Sequence, residues 1–182
     1  MKSVLVVGDN FQLIVADVDG NGRDDVIWNR PATTSDYVWL TDGSGRFISR
    51  KLAIPAGYQV LAGNVDGDAA DDLILYSRTA SSATVLFGAG WAELVERSYP
   101  LSGSYQPFVA DVPNNGRDEV YWYAPGGGPD RWSRWSFDRS VLTTDAGLGG
   151  TQQPVVGAFS TGGGDGILWY GTGTLSDWIW WQ

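Results

Sequence analysis

Oxygen-bearing side chains at alternate positions are what a calcium ion requires of a loop, and residues 17–28, DVDGNGRDDVIW, supply them. Counting from Asp17, the side chains of Asp17, Asp19, Asn21 and Asp25 fall at positions 1, 3, 5 and 9. Gly22 stands at position 6, and the carbonyl of Arg23 is available at position 7. Calcium takes about six to eight oxygens at about 2.3–2.6 Å; alternate residues of a tight loop turn theirs inward, and a glycine permits the sharp bend. Position 12, where an EF-hand places a bidentate glutamate, is Trp28, and no helical period flanks the loop. The spacing therefore predicts an EF-hand-like loop held between strands.

The same set recurs along the chain with graded completeness. A second copy offers Asn64, Asp66, Asp68, the carbonyl of Ala70, and Asp72. A third offers Asp111, Asn115, the carbonyl of Arg117, and Glu119, but has Pro113 at position 3, so weaker binding is expected there. A fourth, with Ala158, Ser160, Gly162 and Gly166, has lost its metal ligands. Position 8 behaves differently: it is Asp24, Asp71, Asp118 and Asp165, present even where no ligand set survives. Such a residue is expected to accept backbone N–H bonds in the turn or from a neighbouring repeat. Gln12, Gln59, Gln106 and Gln153, each five residues before a loop, are expected to do similar work.

The loops begin at positions 17, 64, 111 and 158, a constant step of 47 residues. Within each step the order is strand, acidic loop, strand, turn, strand, turn, strand, with short apolar runs punctuated by Gly, Asp, Ser and Pro. Four antiparallel strands repeated radially make a β-propeller blade. The expected fold is thus an all-β propeller of four 47-residue, four-stranded blades in one domain spanning residues 1–182, with blades at 11–57, 58–104, 105–151 and 152–182. Residues 1–10 overlay the fourth strands, Leu5 on Leu52 and Val7 on Ile54, so they are expected to close the last blade. An alternative closure has two chains exchange terminal strands and form an eight-bladed ring.

Composition narrows the chemistry. The net charge of −9 and pI near 4.2 disfavour nucleic acid and anionic membrane surfaces as partners and favour cations. With no Cys and no His, disulfides, thiolate chemistry, the usual zinc sites and histidine acid/base catalysis are all excluded. The run Val4 to Val7 is too short for the core of a signal peptide. Large aromatics are expected to fill wedges between blades: Trp28, Trp122 and Trp169 share one repeat position, and Tyr76, Tyr123 and Tyr170 the next. Trp132, Trp135, Trp178, Trp180 and Trp181 cluster on third strands of the calcium-poor copies, beside Asp and Arg, and form a candidate sugar-stacking surface.

The loop preceded by Val-Ala or Ala-Gly and followed by Val-Ile or Leu-Ile resembles the FG-GAP or VCBS repeat, the blade unit of integrin-α-like propellers, and the resemblance covers all four copies. It implies a propeller with calcium between the first and second strands of a blade. It also implies extracellular use as an adhesive domain, a lectin or a non-catalytic part of a secreted enzyme. The expected function is non-catalytic binding of a glycan or protein by a calcium-stabilised module. A structural, self-assembling propeller is the alternative. A carboxylate-based carbohydrate enzyme is disfavoured because nothing pairs Glu93, Glu96 or Asp145.

Overall fold

The structure, a computed structural model, describes residues 10–88, 94–148 and 150–181. Those residues form fifteen strands in four antiparallel sheets. No helix among them is long and apolar enough to cross a membrane. The first sheet holds β1 (Gln12–Ala16), β2 (Asp25–Asn29), β3 (Asp36–Thr41) and β4 (Phe47–Leu52). The second holds β5 (Gln59–Gly63), β6 (Asp72–Tyr76), β7 (Ser82–Phe87) and β8 (Val95–Pro100). In the third are β9 (Gln106–Ala110), β10 (Glu119–Tyr123), β11 (Arg131–Trp135) and β12 (Val141–Asp145). The fourth has β13 (Gln153–Gly157), β14 (Gly166–Tyr170) and β15 (Trp178–Trp180). Each sheet is a meander of consecutive neighbours. The closing strand expected from residues 1–10 lies, apart from Asn10, outside the described residues.

One register serves every copy. Gln12 faces Asn29, Gln59 faces Tyr76, Gln106 faces Tyr123 and Gln153 faces Tyr170 across the first two strands of each sheet. A one-residue slip would turn every apolar side chain to the wrong face, so constant loop length and constant patterning hold the pairing together. The strands β6 (DLILY) and β10 (EVYWY) are buried along their whole length, as near-continuous apolar runs are when both faces are covered.

Three apolar clusters join the four sheets in series. Ile27, Val38 and Leu40 of the first sheet meet Val60, Leu73 and Leu75 of the second. Ile74, Val85 and Phe87 of the second meet Val120, Trp122 and Trp135 of the third, and Tyr121 and Tyr123 of the third meet Ile167 and Trp169 of the fourth. Trp122 and Trp169 are wholly buried, as expected of wedge-filling aromatics; truncating a ring of that size in a core costs about 3–5 kcal/mol. β1 lies beside β5, and β5 beside β9, so first strands neighbour one another from sheet to sheet.

A polar clamp accompanies each apolar junction. The Asp17 N–H donates to the Asp71 carboxylate at 2.8 Å, while the Asp71 N–H donates to the Asp17 carbonyl at 2.7 Å. Asn64 with Asp118 repeats this at 2.8 and 2.8 Å, and Asp111 with Asp165 at 3.0 and 2.9 Å. The position-8 aspartate thus reaches back to position 1 of the preceding sheet. Gly63 makes room for one such reach, since a Cβ there would sit 2.6 Å from the Asp118 carboxylate.

Candidate metal centre and repeated clefts

The first acidic loop places three carboxylates around one point. Oxygens of Asp17, Asp19 and Asp25 lie within 4.8 Å of one another. Two calcium ligands on opposite sides of an ion are about 5 Å apart, so this donor set fits. The backbone is bent for it by Gly20 (φ 69°) and Gly22 (φ 79°), both left-handed, a region glycine enters without steric cost. The carboxylates are held by loop amides: Asp17 accepts the N–H groups of Asn21 and Gly22 at 3.0 and 2.7 Å, and Asp19 accepts that of Asn21 at 3.2 Å. Each oxygen that accepts one N–H keeps a second lone pair for a metal.

Asp25 has a further task. Its two oxygens accept the Val18 N–H at 3.1 Å and the Thr41 N–H at 2.8 Å, tying the loop to the end of β3. In the second copy Asp72 repeats this with Val65 and Gly88 at 2.9 and 2.9 Å. Burial pushes the Asp25 carboxyl upward against its two amide donors, and the nearby Asp19 and Asp17 push it further. Asp72 is raised to about 7, by burial first and by Asp66 and Asp68 to a lesser degree. Clustered carboxylates that repel one another are what a divalent cation relieves. Asn21 turns its amide to the Thr41 carbonyl at 2.9 Å, and the Arg23 guanidinium reaches back to the Asn21 carbonyl at 3.5 Å. With Asp42 and Ile48 these residues line a cavity of about 230 Å³ beside the three carboxylates.

The second loop, expected to hold calcium, holds a guanidinium. Arg139 Nε lies 3.0 Å from Asp66 Oδ2, its Nη2 lies 3.9 Å from Asp68 Oδ2, and its cation sits 4.8 Å from the Phe87 ring centre. Arg139 belongs to the turn between β11 and β12 of the third sheet, where its φ of 65° and the bond from Tyr99 Oη to its carbonyl (2.8 Å) aim it at the second loop. The remaining donors turn inward: the Asn64 amide bonds to the Asp68 carbonyl at 2.6 Å, and Asp68 accepts the Ala70 N–H at 2.7 Å.

In the third loop Asp111 accepts the Asn115 and Gly116 N–H groups as Asp17 does those of Asn21 and Gly22. Asn114 takes the left-handed conformation (φ 55°) that glycine supplies elsewhere, and Asn115 accepts the Arg117 N–H at 3.0 Å. Glu119 is buried as Asp25 is, but its Oε2 has no hydrogen-bond partner among the described residues, and burial with help from Asp111 raises its carboxyl to about 7. The fourth loop, with Ala158, Ser160, Gly162 and Gly166, brings no carboxylate into the ligand positions.

Two clefts occupy the same repeat position in successive sheets. One, of about 480 Å³, is lined by Gly57, Gln59, Tyr76, Ser77 and Arg78. The other, of about 640 Å³, is lined by Ser104, Tyr105, Gln106, Pro125, Arg131 and the same Arg78. Both open on the turns joining the second and third strands, at the strand ends remote from the acidic loops. Gln59 and Gln106 were expected to bond backbone; instead both are exposed and line these clefts. Gln12 accepts a bond from the Asn29 amide at 3.4 Å.

The tryptophans divide by position. Trp135 is 4 % exposed and lies edge-on to Tyr99, so its ring is part of a junction and has no face free for a sugar. Trp132 stacks on Tyr121 with the Arg134 guanidinium 4.6 Å from its ring, and Trp180 meets Tyr121 edge-on. Trp178 stacks on Trp169 yet stays partly exposed, and Trp181 is exposed. Arg139 and the clefts went unforeseen in the sequence; the shared 47-residue offset of Gln59 and Gln106 was the available signal for the clefts.

Calcium at about ten to a hundred times its dissociation constant should stabilise the folded chain by about 1–3 kcal/mol, raising Tm by roughly 3–10 °C. Asp19→Asn preserves shape and removes one ligand charge, so it should abolish most of that rise while leaving the metal-free Tm nearly unchanged. Thermal scans with calcium and with chelator read both outcomes. An equal rise in the variant would remove the first loop as the site.

No family model matches the chain, and no curated protein or solved structure matches it significantly.

Proposed function

We propose that this chain is a calcium-stabilised, propeller-type module that binds glycans without turning them over. The observation that carries this reading is the pair of clefts lined by Gln59, Tyr76 and Arg78 and by Gln106, Tyr105 and Arg131. The exposed amide of Gln59 recurs as Gln106 at the 47-residue step, and the guanidinium groups of Arg78 and Arg131 stand beside them; amide and guanidinium groups suit a ligand rich in hydroxyls, and two neighbouring sites add avidity. Carbohydrate hydrolysis runs on a pair of carboxylates; the described residues lining these clefts include none.

Calcium then has a supporting role at the opposite strand ends, in the first loop and more weakly at Glu119. Loops lacking the position-12 glutamate fill best at extracellular, millimolar calcium, which makes a secreted setting the natural one. The FG-GAP or VCBS resemblance agrees with both points. Glycan-array binding of the full chain, followed by calorimetric titration of any hit, tests the reading. Gln106→Ala and Arg131→Ala should each weaken a hit about tenfold with Tm unchanged. Array silence with and without calcium would remove the glycan reading.

A further inference from the structure

The two end sheets of the array each present a face that the internal sheets bury. On the first sheet Leu13 and Val15 are 55 % and 59 % exposed, and Tyr37 and Phe47 are exposed beside them. The 47-residue counterparts of Leu13 and Val15 are Val60 and Ala62, and those of Phe47 are Leu94 and Val141. All of these pack into junction clusters. On the fourth sheet Val155, Tyr170, Ile179 and Trp181 are exposed. Their counterparts Leu61, Tyr76, Val85 and Phe87 all pack into the second junction.

The clamp has the same two loose halves. Asp24, the first sheet's position-8 aspartate, is exposed, and no hydrogen bond to its carboxylate is present among the described residues. Its counterparts Asp71, Asp118 and Asp165 each accept the position-1 N–H of the sheet before. The position-1 residue with no following sheet among the described residues is Ala158, also exposed.

We infer that a second copy of this chain covers both faces: the fourth sheet of each copy packs on the first sheet of the other, with Ala158 N–H clamped to the partner copy's aspartate at position 24. The occupant follows from the interface already built three times, which joins a Leu61-type face to a Val60-type face and an Ala158-type amide to an Asp24-type carboxylate. The two free ends are one of each kind. Within one chain they do not cover each other, since Leu13, Val15, Ile179 and Trp181 all stay open to solvent. Such a contact is heterologous and head-to-tail, so it closes only as a ring. Two copies bring together eight sheets, at the upper end of propeller sizes of about 4–8 blades; three would exceed it. The inference rests on the junctions alone and stands apart from glycan binding.

Native mass spectrometry of the full chain tests it. The expected mass is two chains, each 19.7 kDa. Val15→Glu and Ile179→Glu, each at an exposed position on a different end, should separately give single chains, with strand content by circular dichroism unchanged. Mixing the two variants should restore a one-to-one pair, because one intact junction remains. A single-chain mass for the unaltered protein overturns the inference and leaves the faces to each other or to a different protein. A mass of three or more chains overturns the two-copy ring. Persistence of the pair in either variant alone overturns the head-to-tail contact. Should a variant lose strand content, Asp24→Ala, confined to an exposed clamp residue, should weaken the pair at least tenfold in a dilution series, and an unchanged dissociation overturns the inference.

Discussion

Replacing Arg139 with Ala should lower stability by about 3 kcal/mol, the largest effect expected of any charged residue here, because it strands the buried Asp66 carboxylate without its cation. For a chain of this size that is a Tm loss of roughly 6–12 °C. The loss should be largely recoverable. With the guanidinium gone, Asp66 and Asp68 face one another in a loop whose spacing is that of a calcium site, so added calcium should raise the variant's Tm more than the unaltered protein's. Arg139→Met, which removes the guanidinium lying over Phe87 but keeps an apolar side chain, separates lost packing from lost charge: it should share the calcium response. A fall in Tm with no added calcium response would show that the second loop is built for the arginine and accepts no metal in its place.

Asp118 should give opposite results for its two simplest replacements. Burial raises its carboxyl to about 6, against the Asn64 N–H that favours the charge, with Asp165, Asp111 and Asp71 raising it further. The folded state therefore holds its proton more tightly than the unfolded chain does. The stability this contributes is fully present below the ordinary carboxylate value near 3.8 and is lost as pH rises through about 6. Asp71, Asp72 and Glu119 are raised as well, so metal-free protein should lose stability steadily from about pH 4 to 7.5. Asp118→Asn keeps an acceptor for the Asn64 amide and has no charge to desolvate. It should flatten that slope and, at pH 7.5, match or exceed the unaltered protein. Asp118→Ala leaves a junction amide without its acceptor and should cost about 2 kcal/mol near pH 4, where the unaltered Asp118 is protonated, the difference narrowing as pH rises through about 6. Denaturant melts at several pH values in chelator read both, and parallel slopes for Asp118→Asn and the unaltered protein would remove Asp118 as the titrating group.

Much of the molecule is legible in local patterns. The 47-residue step, the four-stranded unit, the turn at each loop and the carboxylates of the first site all follow from residues within a few positions of one another. Asp24, Asp71, Asp118 and Asp165 were assignable to backbone bonding because they persist where Asp17-type ligands do not, and three of the four make the bond expected. Position 9 was harder: Asp25 and Asp72 satisfy the spacing of a metal ligand and also cap two amides, and one carboxylate cannot announce both roles in a sequence.

What the sequence determined by itself is the repeat, the register within each sheet and the acidic loop at its head, since strand alternation, glycine turns and alternate oxygen ligands are all short-range. The tertiary structure alone decided which equivalent residues behave unequally. Arg139 stands 73 residues from Asp66, yet its guanidinium lies against the carboxylates of the second loop. Trp135 and Trp181 come from similar runs, yet one is sealed in a junction and the other open on an end face. Gln59 and Gln106 line clefts because of the turns beside them. Each of these outcomes depends on which sheet lies against which, and identical repeats carry no local mark of whether a neighbour is present.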